Sequence, residues 1–192
     1  MVSVPAQSAI VAVALLAASA DAHNKMTVPV PTWPSGFYAQ NSPSGNIDVS
    51  VLPVPSGMSY NTDPASNTKA YLQAFKASSY TSLKDLAFKT QTLVSPASNE
   101  CGFSVVDGTK QDLPATVQWD FFTASHQGPC EVWCDDVLAF QDDNCAVSYP
   151  ETPAELPYDK SKCEGASVLM SIWIALHSPP WQVYTNCAPL TG

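Results

Sequence analysis

Two histidines, a tyrosine and a glutamine stand where their side chains could hold and tune a metal ion. Residues 9–20 (AIVAVALLAASA) are a short uncharged apolar run, and Ala20-Asp21-Ala22 completes a signal-peptidase pattern. Cleavage after Ala22 makes His23 the first residue of the mature chain. Its α-amine and one imidazole nitrogen then share a Cα and can close a chelate ring, which an internal histidine cannot do. A second imidazole is offered by His126, in Ser125-His126-Gln127-Gly128-Pro129-Cys130-Glu131-Val132-Trp133. It follows an aromatic segment and precedes a Gly-Pro turn, so it sits in a loop held by rigid elements, a good place for a ligand. Further polar groups come from Trp181-Gln182-Val183-Tyr184-Thr185-Asn186-Cys187. Gln182 and Tyr184 are two apart and share one face of a strand. Taken singly, His126 reads as an ordinary loop histidine and Tyr184 as a core residue; their conjunction with a terminal His23 is what suggests a site.

Such a site needs a frame. Thr116–Thr123 (TVQWDFFT), Glu131–Trp133, Ser167–Leu176 (SVLMSIWIAL) and Gln182–Thr185 are rich in β-branched and aromatic residues and read as strands. The nearly unbroken apolar run of Ser167–Leu176 predicts a strand buried between two layers. Ile47–Val54 reads as a strand that its proline confines to a sheet edge or to a strand end. Asp63-Pro64 predicts a helix start, and the spacing of apolar residues to Lys89 predicts one or two short helices broken near Ser78–Thr81. Pro150–Pro157 reads as a loop. With 17 prolines and few charges, the pattern predicts a mainly β fold, an immunoglobulin- or fibronectin-III-like β-sandwich with long loops and one or two short helices. A helix-containing α+β fold is the alternative.

Residues 1–22 are expected to be a cleaved signal peptide and 23–192 a single domain, large enough for a real core. The mature part carries eight lysines, no arginine and 16 acidic residues, a net charge of −8. That opposes binding to nucleic acid and to anionic membranes. No later apolar run reaches the roughly 18–20 residues that span a bilayer, so a secreted, extracellular product is expected. Six cysteines in an exported chain predict three disulfides; no C-x2-C pair points to zinc. Cys130 and Cys134 would lie about 13 Å apart in a strand, too far to pair. The expected pairs are Cys101–Cys187, Cys130–Cys163 and Cys134–Cys145. Asp135-Asp136 and Asp142-Asp143 are adjacent acids whose side chains would diverge in a strand. They read as solvated loop charges rather than a hydrolase dyad.

The segments His23-Asn24-Lys25-Met26-Thr27-Val28-Pro29 and His126-Gln127-Gly128-Pro129-Cys130-Glu131-Val132-Trp133, with the closing Q-x-Y-x-x-C, resemble lytic polysaccharide monooxygenases, copper enzymes built on a "histidine brace". They look most like the oomycete group, auxiliary-activity family seventeen. The resemblance implies one copper ion cycling between Cu(II) and Cu(I). His23 would give its amine and a ring nitrogen, His126 a third nitrogen, and Tyr184 an axial hydroxyl, while Gln182 would either hydrogen-bond the bound oxygen species or be a plain strand residue. Tetragonal nitrogen donors suit copper(II). An A-L-H motif of cellulose-active relatives is matched by Ala175-Leu176-His177, but only four residues separate His177 from Gln182. His177 is then either a structural histidine or a further partner of the oxygen species.

The implied reaction is oxidative cleavage of a plant cell-wall polysaccharide, pectin first and cellulose or chitin as rivals. An external electron donor and O2 or H2O2 would take part, and the protein is expected to be a monomer. Trp33, Phe37 and Tyr38 (in PTWPSGFYAQ) are candidates for stacking on sugars, or else form a small core under their loop. A −8 protein repels polygalacturonate, so Lys25, Lys84 and Lys89, or bridging calcium, would have to offset the charge. Two other readings compete: a non-catalytic copper-binding protein built on the same brace, and a metal-free carbohydrate-binding or effector protein.

Overall fold

The structure, a computed structural model, describes residues 23–192; the expected signal segment lies outside the described residues. Two antiparallel sheets make a β-sandwich. One holds β1 (Met26–Val28), β4 (Val117–Trp119) and β7 (Ala154–Leu156), in the order β1-β4-β7. The other holds β2 (Gly45–Ile47), β3 (Gln91–Leu93), β5 (Cys130–Cys134), β6 (Val137–Asp142), β8 (Val168–Ala175) and β9 (Trp181–Pro189). Their order is β3-β2-β9-β8-β5-β6, which puts β8 and β9 in the middle. Among the described residues three α-helices, α1 (Pro64–Lys76), α2 (Leu83–Thr90) and the single turn α3 (Cys145–Ser148), complete the mainly β fold.

Strand β8 explains its own apolar run. Leu169, Trp173 and Ala175 face the three-stranded sheet and pack in the core with Met26, Val117 and Trp119. Met170, Ile172 and Ile174 face the other way, against Ala70, Tyr71, Leu86 and Ala87 of α1 and α2. Successive side chains alternate, and each face meets a packed layer, so neither set tolerates polarity unless it is bonded. Ser171 meets that condition: its Oγ accepts from Trp119 Nε1 at 2.9 Å across the sandwich.

The helices begin and break where the sequence predicts. Asp63 caps α1 by accepting from Ser66 N at 3.0 Å, and Pro64 occupies the first turn, where a missing N–H costs nothing. Ser82 caps α2 through Asp85 N at 2.9 Å. A second, tertiary cap comes from Glu131 of β5. Its Oε1 accepts from Leu83 N (2.8 Å), and its Oε2 from Lys84 N (3.0 Å) and Trp133 Nε1 (2.8 Å). This buried carboxylate anchors the helix layer to the large sheet and meets the positive end of α2.

Four expectations need correction. Cys101–Cys187 forms as expected, but the other pairs are Cys130–Cys145 and Cys134–Cys163, not Cys130–Cys163 and Cys134–Cys145. The β5–β6 hairpin is the reason. Cys134 pairs with Val137 at the turn while Cys130 lies opposite Asp142, so the returning chain brings Cys145 to the Cys130 end and leaves Cys134 beside the turn Lys160–Cys163. The segment Pro150–Pro157, expected as loop, contains β7, with Ala154 and Leu156 buried and Glu155 exposed between them. The strand expected over Ile47–Val54 stops at Ile47, because Asp48 accepts from Ser50 N and starts a 3-10 turn, Val49–Val51. That expected over Thr116–Thr123 ends at Trp119.

Two stability measurements follow. Asn67 of α1 is fully buried; its Nδ2 donates to the carbonyls of Leu176 (3.0 Å) and His177 (3.1 Å), and its Oδ1 accepts from Thr62 N and Thr62 Oγ1. Asn67→Ala strands these groups, and chemical denaturation should register a loss of about 2–3 kcal/mol. Burial pushes the Glu131 carboxyl above the ordinary glutamate value, against the pull of Leu83 N, Lys84 N, Trp133 and the Lys84 charge. The folded chain therefore holds this proton more tightly than the unfolded chain. The resulting stability is full below the unfolded value and lost as pH rises through the raised one. Stability of the wild type relative to Glu131→Gln, followed by denaturation across mildly acidic pH, should decline as pH increases; a flat difference would contradict it.

Candidate metal centre

The four sequence-selected polar residues meet at one end of the large sheet. Trp173 and Tyr184 are directly opposite in the β8–β9 ladder, and Ala175 is opposite Gln182. The Tyr184 ring stacks on Trp173, centroids 4.5 Å apart, and is almost wholly buried. Its hydroxyl donates to Gln182 Oε1 at 2.8 Å. His126 ends the 3-10 turn Ala124–His126 immediately before β5. Gly128 lets this turn lie against β8: a Cβ there would collide with the Ile174 carbonyl. Leu176 N and Ile174 N bond Gln127 O and Pro129 O on either side of it. His23 arrives from the other sheet on the arm leading to β1, fixed by Met26 N donating to Asn186 Oδ1 at 2.7 Å and Asp120 N donating to Lys25 O at 3.1 Å.

The rings of His23 and His126 are 6.2 Å apart and nearly perpendicular, at 78°, and the Tyr184 ring is 6.1 Å from His23. Two imidazoles bound on opposite sides of one ion, with metal–nitrogen bonds of about 2.0 Å, have centroids roughly 6.4 Å apart. The separation leaves room for one ion between the rings. Ser125 Oγ lies 3.1 Å from His126 Nδ1 and fixes the ring from that side; Nε2 has no hydrogen-bond partner among the described residues. No three His, Cys, Asp or Glu side chains among the described residues form a ligand cluster.

His177 lies in the same cluster. Asn67 holds its carbonyl, and its ring stacks on His126 with centroids 3.8 Å apart and 25° between planes. Burial, then the His177 and His23 charges, push His126 down to about 4. Burial and His23 lower His177 as well. Two stacked rings cannot both take a proton cheaply, so His126 stays neutral, the form that ligates metals. Burial raises the Tyr184 hydroxyl well above the usual tyrosine range, so it remains a protonated phenol. Buried and without partners are His177 Nδ1, Trp173 Nε1 and Asn24 Nδ2.

Ser125, Asn67 and Trp173 are contributors that sequence reasoning did not single out. Ser125 adjoins His126 and was open to inspection, whereas nothing local marks Asn67, 110 residues from the carbonyl it holds. Of the aromatic trio, Trp33 stacks on Phe37, which packs on the buried Phe103 at 4.8 Å, in a half-buried aromatic cluster. Tyr38 is 92% exposed and stands clear of it. A cavity of about 960 Å³ lies elsewhere, lined by residues that include Phe88, Val105, Val168 and Met170. It sits at the Val168 end of β8, roughly 23 Å from the Ala175 end. Among the described residues no helix is long and apolar enough to cross a membrane, and all six cysteines are paired. No family model matches the chain, and no curated protein matches its sequence.

Proposed function

We propose that this chain is an exported copper-dependent polysaccharide monooxygenase acting on plant cell-wall polysaccharide, pectin first. The observation that carries the reading is the 6.2 Å, near-perpendicular pairing of His23 with His126 over a buried Tyr184. The disulfides fit export. His23, once terminal, would hold the ion by its amine and ring and His126 by Nε2, with the Tyr184 hydroxyl as a further weak donor. Copper, when bound, would supply the one-electron chemistry by which O2 or H2O2, with an external electron donor, oxidises a sugar C–H beside a glycosidic bond. The protein's own work is positional. Trp173 and Gln182 hold the Tyr184 phenol by stacking and by a hydrogen bond, so its proton stays in place. Ser125 and His177 restrict the His126 ring.

The decisive test uses the mature chain with a native His23 terminus, loaded with copper and a reductant and offered polygalacturonan, cellulose and chitin, with products read by mass spectrometry. Oxidised oligosaccharides are expected from wild type. His126→Ala, or one glycine added before His23, should weaken copper binding by at least about a hundredfold and abolish product. Tight copper binding without product from any polymer would favour a non-catalytic copper-binding protein; no stoichiometric copper would favour a metal-free carbohydrate binder. Tyr184→Phe keeps the stack on Trp173 and removes only the hydroxyl. Copper binding should persist while product yield drops roughly 10- to 100-fold; an unchanged yield would remove Tyr184 from the site.

A further inference from the structure

A polyanionic substrate is at odds with a chain carrying a net charge of −8 after residue 22. Three lysines stood as candidates to offset it, and the structure separates them. Lys84 Nζ pairs with Asp136 at 3.1 Å and lies over the Trp133 ring; Lys89 pairs with Asp85 at 2.7 Å. Both charges are already answered. Lys25 faces no carboxylate at ion-pair distance among the described residues. Its Nζ instead donates to the neutral Gln40 Oε1 at 2.8 Å, and Gln40 is tied back to Phe37 O at 3.4 Å.

The position is as telling as the missing partner. Burial alternates along the arm: His23 is exposed, Asn24 buried, Lys25 half-buried and Met26 buried. In extended chain, residues i and i+2 share a face, about 7 Å apart. Lys25 thus emerges on the same side as His23. A neutral carbonyl fixes the ammonium without cancelling its charge, so little rotamer entropy is left to lose when an anion arrives.

We propose that Lys25 is the specificity-determining residue that reads a carboxylate on the polymer, a uronate sugar bound across the His23 face, with Gln40 as its positioning residue. This rests on the polysaccharide reading above, but not on copper. The test is therefore binding by the metal-free mature chain to polygalacturonate and to its fully methyl-esterified form, by calorimetry or affinity electrophoresis. Wild type should prefer the free carboxylate, and high salt should erase the preference. Lys25→Gln should lower affinity for polygalacturonate roughly tenfold and leave the ester-form affinity in place, while Lys25→Arg keeps the preference. Gln40→Glu retains Lys25 but neutralises it in an ion pair, and should mimic Lys25→Gln. A merely structural Lys25 would not give that equivalence. Absence of preference in wild type, or a preference surviving Lys25→Gln, would overturn the inference. Neither result touches the brace, which stands or falls on copper stoichiometry and product.

Discussion

The histidine face depends on the β8–β9 ladder, eight residue pairs in the middle of the large sheet. Its last pairs, Trp173 with Tyr184 and Ala175 with Gln182, set the phenol and the amide on one side at a fixed spacing. A register slip of one residue would turn Tyr184 into the helix layer and Val183 toward the histidines. Such a slip is opposed on both faces, because β8 buries Leu169 and Trp173 against one layer and Ile172 and Ile174 against the other. The site is therefore as rigid as the core that specifies it.

Around that ladder, polar groups act by fixing backbone rather than by carrying charge. Asn67 reaches from α1 to the two carbonyls after β8, so the helix layer determines where His177 lies. His177 in turn covers one face of His126. Burial and the neighbouring imidazoles then keep His126 unprotonated. Helix placement is thus coupled to ring chemistry through one amide and one stacking contact, with Glu131 anchoring the neighbouring helix to the same sheet.

What was legible in the sequence was what is encoded locally. The apolar run of β8, the Asp-Pro start of α1, the break before Ser82 and the i, i+2 spacing of Gln182 and Tyr184 all depend on periodicity or on a cap, and all appear where expected. Cys101–Cys187 was also foreseen. The pairs Cys130–Cys145 and Cys134–Cys163 were not, because they depend on a tight hairpin at Asp135-Asp136, where the sequence marks a solvated loop but not the tightness of its turn. Asp135 in fact accepts from Ser167 N and Val168 N. Strand β7 was hidden by its flanking prolines: three residues are too few for a period to declare itself. The role of Asn67 is non-local and leaves no mark in its neighbourhood.

The disulfides have a further consequence for how the two halves of the face are joined. Cys101–Cys187 spans 86 residues and encloses the other two bridges. His126, His177 and Tyr184 all belong to that covalent ring; His23 lies outside it, on an arm secured by three strand residues and a few hydrogen bonds. No disulfide ties the arm to the rest of the face. A ligand that gripped both imidazoles would complete a circuit the cysteines leave open, and so would act as the missing fastener between the arm and the ring.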